Sequence, residues 1–189
     1  MPKNILNIKS RYEFRHWLSL NHDLENECFI MLKRGKPIED NSFYYLDAVE
    51  EALCYGWIDS TLSIIDGANY QRFTPRKKNS NWTELNKERA RRLIKLGLMR
   101  DSGMKVLPNL SNRSFKIDND ILDVLKKNRL YSKFKKYPKL YQRIRVSNLM
   151  FYKKKDNDIY EKMLKHFLEE TKKEKMFGNW NDYGRLLEY

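Results

Sequence analysis

Very little in this 189-residue chain is of the kind that staples or anchors a protein. The two cysteines, Cys28 and Cys54, sit in apolar stretches, without CxxC spacing or a histidine at ligand spacing beside them. That argues against a disulfide framework and a local zinc site, and leaves two buried thiols in a reducing compartment. Histidine is equally sparse: His16, His22 and His166 are not brought beside one another by local spacing, so neither a metal nor a cofactor is expected. No run of eighteen apolar residues occurs, and Met1 to Asn7 lacks the apolar core of a leader peptide. The expectation is a cytoplasmic chain with no transmembrane segment. GxSxG, P-loop and GxGxxG patterns are missing, as is any local Cys–His pairing, so the balance leans against an enzyme.

Charge is what the chain has in excess. The net value is +13, and it is unevenly placed: residues 1–70 carry 7 basic and 11 acidic residues, 71–105 carry 11 and 3, and 106–189 carry 20 and 11. The positive field begins at Arg72. A field so localised points to an anionic partner more strongly than a uniform one would.

The chain is long enough to bury a core without staples. Phe14, Trp17 and Leu18 give an apolar face to a short helix, and the run Cys28 to Leu32 reads as a buried strand. From Ser42 onward, Tyr45, Ala48, Val49, Ala52, Leu53 and Gly56 follow helical spacing, with Ser42 as N-cap, Gly56 as stop, and Asp47, Glu50 and Glu51 on the opposite face. Asp66-Gly67 between two β-prone runs predicts a hairpin, because a type I′ turn needs two residues of positive φ. Without a bulge, Ser63 faces Tyr70, Thr61 faces Arg72 and Asp59 faces Thr74, which leaves Asp59 diagonal to Arg72. Pro75 ends the strand, and a helix over about Trp82 to Leu96 follows, with Asn81 and Glu84 as cap and N3 residue. Pro108 to Ser114 reads as a linker. Helices are expected over Asn119–Asn128, Lys139–Tyr152 and Asp158–Lys175. The fold class is α+β: a small antiparallel sheet with a β-hairpin packed on helices over 1–110, then a mainly helical basic region over 111–189.

Several segments together resemble one family. They are Trp17-Leu18, Asn21-His22, Ala48-Val49-Glu50-Glu51-Ala52-Leu53-Cys54-Tyr55-Gly56-Trp57-Ile58-Asp59-Ser60, Arg72-Phe73-Thr74-Pro75-Arg76, Ser80-Asn81-Trp82-Thr83, Asn86-Lys87 and Leu93-Ile94-Lys95-Leu96-Gly97-Leu98-Met99. The combination resembles the YdeI/OmpD-associated proteins, the bacteriocin-protection family, over residues 12–107. The resemblance implies a cytoplasmic bacterial protein linked to envelope stress and to tolerance of cationic antimicrobial peptides or bacteriocins, with no established catalytic activity. The tail follows the family only in outline, and Val146-Ser147-Asn148-Leu149 stands where the family has Trp-Ile followed by Ala-Lys.

Three sites are legible from the residues. The first is a small-anion site of Asp59, Arg72, Arg76, Ser80 and Asn86, since arginine's planar fork suits a carboxylate or phosphate; catalysis on a small anionic substrate is its less favoured variant. The second is a nucleic-acid surface in which Arg72, Arg76, Lys77, Lys78, Lys87, Arg91, Arg92 and Lys95 track phosphates beside Trp57, Tyr70, Phe73 and Trp82, although no module signature accompanies it. The third is the last helix, whose stripe Tyr160, Met163, Leu164, Phe167 and Leu168 lies opposite a mixed-charge face and suits a partner protein, a membrane surface or its own domain.

Overall fold

A computed structural model describes residues 3–77 and 80–189, so Met1, Pro2, Lys78 and Asn79 lie outside the described residues. It is α+β, and the chain divides into two compact units: residues 1–81 with 89–108, and residues 82–88 with 109–189. No helix among the described residues is long and apolar enough to cross a membrane.

The first unit is built on a four-stranded sheet in the order β1-β2-β4-β3, where β1 is Ile5–Leu6, β2 Cys28–Ile30, β3 Trp57–Ile65 and β4 Ala68–Pro75. The sheet is mixed, because β1, too short to register as a period in the sequence, pairs parallel to β2. The other pairings are antiparallel. Asp66 (φ 48°) and Gly67 (φ 78°) form the expected two-residue turn, with Ile65 opposite Ala68 and Ser63 opposite Tyr70. Beyond Leu62, which faces Gln71, the register slips, so that Asp59 faces Phe73 and Trp57 faces Pro75. Ser60 and Thr61 thus lie together opposite Arg72, a bulge that the unbulged reading of the hairpin did not contain.

Helices α1 (Arg11–Asn21) and α2 (Tyr45–Cys54) cover one face of this sheet. Phe14 and Phe73 meet with ring centroids 5.3 Å apart, and Trp17 and Trp57 meet edge to face at 5.7 Å. Phe14, Leu18, Cys28, Ile30, Ala48, Ala52 and Phe73 are fully buried. Ser42 is not the cap of α2; Tyr44 holds that position with no side-chain hydrogen bond.

The face of α2 opposite its apolar stripe is not solvated. Glu50 and Glu51 are each 1 % exposed, and arginines enclose them. Arg11 Nη2 lies 2.6 Å and Arg15 Nε 2.5 Å from Glu51, while Arg92 Nη1 lies 2.8 Å from Glu50. Arg92 comes from α3 (Glu84–Lys95), whose residues from Arg89 onward belong to this unit. Thr83 Oγ1 accepts the Asn86 N–H at the start of α3, in place of the expected Asn81 cap. The short helix α4 (Asp101–Lys105) packs on the end of α2 so closely that a Cβ on Gly103 would lie 2.3 Å from the Cys54 carbonyl oxygen.

The second unit is helical: α5 (Asn119–Lys127), α6 (Tyr131–Lys136), α7 (Lys139–Lys155) and α8 (Asn157–Lys172). Ile121, Leu125, Phe134, Val146, Leu149, Tyr160, Leu164 and Phe167 form its core. The stripe of α8 is therefore covered by its own unit, which removes it as a membrane or partner surface. Arg143 reaches Glu88 at 3.0 Å and Glu84 at 3.4 Å, both on the first turns of α3, and the Tyr189 hydroxyl donates to Glu88 at 2.8 Å.

Removing one of the enclosed carboxylates leaves two guanidiniums without their closest counter-charge. Glu51→Ala should destabilise the protein by about 3 kcal/mol, near the low end for a buried pair because both arginines are partly exposed. Urea denaturation of the full chain measures it, with Tyr12→Ala, an exposed position on α1, as the neutral control.

Candidate functional site

The bulge at Ser60-Thr61 decides which side chains can meet. Side chains alternate faces along a strand, and one inserted residue moves everything beyond it to the other face. Asp59 thereby joins Phe73 on the helix-covered face. Arg72, opposite Phe29, points the other way. Asp59 and Arg72 are consequently not partners: Arg72 Nε donates to Glu27 Oε2 at 2.7 Å on the outer face, and Asp59 accepts the Tyr45 hydroxyl at 2.5 Å.

From Tyr45 the contacts run in two directions. On one side, the guanidinium of Arg34 lies over the Tyr45 ring, 4.0 Å from its centroid, and its Nη2 donates to Gln71 Oε1 at 2.7 Å. Gln71 is buried and fixed in turn, its Nε2 donating to the carbonyls of Thr61 in the bulge and of Arg72. On the other side, the charge of Asp59 acts on Arg76, which is 5 % exposed and donates from Nη1 to Ser80 Oγ at 3.1 Å and to the Asn81 carbonyl at 3.2 Å. Burial lowers the Arg76 guanidinium to about 10, with Asp59 opposing the shift. Burial also raises the Tyr45 phenol above its ordinary value; the Asp59 charge and hydrogen bond add to this, while Arg89 and Arg34 oppose it.

Of the five residues expected in an anion site, the structure brings Asp59, Arg76 and Ser80 into one neighbourhood. Arg72 lies on the other face of the sheet. Asn86 belongs to the second unit, on the first turn of α3. Arg34, Tyr45 and Gln71 were not foreseen as site residues. Gln71 could have been: it lies two residues from Phe73, so the strand period places it inward, and an inward glutamine needs partners. Arg34 gave no signal of its own, lying in a basic stretch after β2.

Next to Arg34 is a cavity of about 180 Å3 lined by Leu32, Arg34, Leu62, Asn69 and Gln71. Among the described residues the Arg34 guanidinium has one hydrogen-bond partner, Gln71, whereas arginine carries five N–H donors. Its orientation is fixed by the ring beneath it and by the amide beside it, so little further ordering is needed to receive an anion.

The surface proposed for nucleic acid is differently constituted. Lys87 lies 2.9 Å from Glu84 and Arg92 2.8 Å from Glu50, both in ion pairs with buried carboxylates. Arg91 is half-buried, and Lys95 is exposed. Lys78 lies outside the described residues. Trp57 and Phe73 are core residues, and the Trp57 indole N–H donates to the His22 carbonyl, so neither offers a face for a base. Trp82 is half-buried in the second unit. Cys28 and Cys54 are free and buried, and burial pushes the Cys54 thiol up to about 12. Among the described residues no cluster of histidine, cysteine, aspartate or glutamate could hold a metal ion.

This half of the molecule is what a protein family holds in common. The chain belongs to the family described as Domain of unknown function (DUF8412), whose model matches residues 6–106, just over half of its length. No curated protein and no solved structure matches it.

Because Tyr45 titrates above its ordinary value near 10, its contribution to stability is complete below about pH 10 and is lost as the pH rises beyond it. Tyr45→Phe should cost about 1–2 kcal/mol at neutral pH, where Asp59 loses its donor. Its stability should also fall less than that of the native protein between about pH 9 and pH 11. Urea midpoints at both pH values check the two effects.

Proposed function

We propose that this chain acts in the cytoplasm as a non-enzymatic stress or bacteriocin-tolerance protein of the YdeI/OmpD-associated kind, and that it works by binding an anionic group at Arg34. The tolerance role is supported by the resemblance over residues 12–107. The anion-binding role is supported by one observation above the others: an exposed guanidinium laid on the Tyr45 ring, tied to the buried Gln71, and lining a cavity whose size suits a single head group.

Tyr45 and Gln71 orient the arginine. Asp59 and Arg76 support Tyr45 from behind, with Ser80 and the Asn81 carbonyl fixing Arg76. The cavity supplies a further donor in the side-chain amide of Asn69. A carboxylate or phosphate oxygen pair matches the arginine fork, and the resulting charge-assisted bonds are roughly twice as strong as neutral ones.

Isothermal titration of the full chain with inorganic phosphate and with acetate tests the reading. Arg34→Ala should abolish binding and cost about 1–2 kcal/mol of stability, since it leaves the buried Gln71 Oε1 without its donor and uncovers the Tyr45 ring. Arg72→Ala, which lies on the other face, should bind as the native protein does and lose no more than about 1 kcal/mol of stability with its half-exposed Glu27 pair. Undiminished binding by Arg34→Ala would place the anion elsewhere.

A further inference from the structure

The cavity beside Arg34 is small. A cavity of about 180 Å3 takes a carboxylate or phosphate group with a few carbons beside it, as one of about 150 Å3 takes a single benzene. A longer ligand must leave the cavity, and the walls determine what it meets on the way out.

Two of those walls are the leucines Leu32 and Leu62. Leu62 pairs with Gln71 and Ile64 pairs with Asn69, so all four share one face of the hairpin, and the two apolar residues are about 7 Å apart along β3. Leu62 is 56 % and Ile64 77 % exposed. Strand β3 is at the edge of the sheet, and from Leu62 to Ile65 it carries no charged residue and no proline, the usual guards of such an edge. An apolar strip therefore runs directly from the anion cavity along the hairpin toward its turn.

We infer that the ligand of the Arg34 site is an anionic amphiphile: a carboxylate or phosphate head held by Arg34 and Asn69, with an unbranched apolar tail lying over Leu62 and Ile64. The inference rests on the reading of Arg34 as the anion-binding group. Charge complementarity selects this occupant over a second copy of the chain, which would bring two molecules of net charge +13 together without supplying an anion at Arg34. The tail contributes only while it covers apolar surface, so affinity rises with chain length until the tail passes Ile64 and then levels off.

Titration calorimetry of the full chain with acetate, butanoate, hexanoate, octanoate, inorganic phosphate and octyl phosphate, all below micelle-forming concentrations, tests this. Each methylene that reaches the strip should tighten binding roughly two- to fourfold. Ile64→Ser should remove the chain-length gain while leaving acetate and phosphate affinities unchanged; its exposed position keeps the fold intact. Arg34→Ala should lose both the short and the long ligands.

Equal affinity for acetate and octanoate would overturn the amphiphile and leave the small-anion reading standing. If none of the six ligands binds, both readings fall. Octanoate binding that survives Arg34→Ala would also overturn the proposal, since the tail would then be adsorbing without its head. So would dimerisation of the native protein that Ile64→Ser abolishes, because the strip would then belong to a second copy. Phosphatidylglycerol vesicles separate the two sources of the head group: capture by vesicles without binding of free octyl phosphate would assign the strip to a membrane surface and overturn the free ligand.

Discussion

Two neighbouring carboxylates on one helix, both withdrawn from water, impose the main constraint on the first unit. Glu50 and Glu51 cannot be left uncompensated at 1 % exposure. Their guanidiniums arrive from two other helices, Arg11 and Arg15 one turn apart on α1 and Arg92 from α3. The three helices are thereby held in a relation that apolar contact alone would specify less sharply. With α2 so fixed, Tyr45 on its first turn is placed over the sheet at the height of Asp59, and the ring becomes the platform on which Arg34 lies.

The same arrangement separates two kinds of arginine. Arg11, Arg15, Arg76 and Arg92 face inward and hold helices or loops to one another. Arg34 is oriented just as firmly, by a ring and an amide, but opens onto a cavity. A high count of basic residues in the sequence does not distinguish these uses, because what matters is where the nearest carboxylate lies once the chain is folded.

Much of the fold was legible. The periods that marked α1, α2 and β2 were those of elements with one strongly apolar side, and Asp66-Gly67 specified its turn because few other pairs accept positive φ twice. What escaped had physical causes. Ile5–Leu6 is too short to show a period. The charged side of α2 reads as solvated in any pattern argument, since the arginines that cover it come from distant segments. Arg76 and Ser80 were legible as neighbours because Pro75 ends the strand just before them, whereas Asp59 reaches the Arg76 side only through the bulge. The expected Asp59–Arg72 pair failed on a single extra residue, and no composition rule announces a bulge between Asp59 and Leu62. Arg34 could not be singled out, because its partners Tyr45 and Gln71 are tertiary ones.

That extra residue has a consequence for how such a protein can change over time. The bulge makes the site depend on the number of residues in β3 as much as on their identity. A relative shorter by one residue between Asp59 and Leu62 would keep Arg34, Tyr45, Asp59 and Gln71 and turn its aspartate toward the outer face, beside the arginine that now pairs with Glu27. Insertions and deletions, which leave most residue-by-residue comparisons almost untouched, would therefore be the events that create or erase this site.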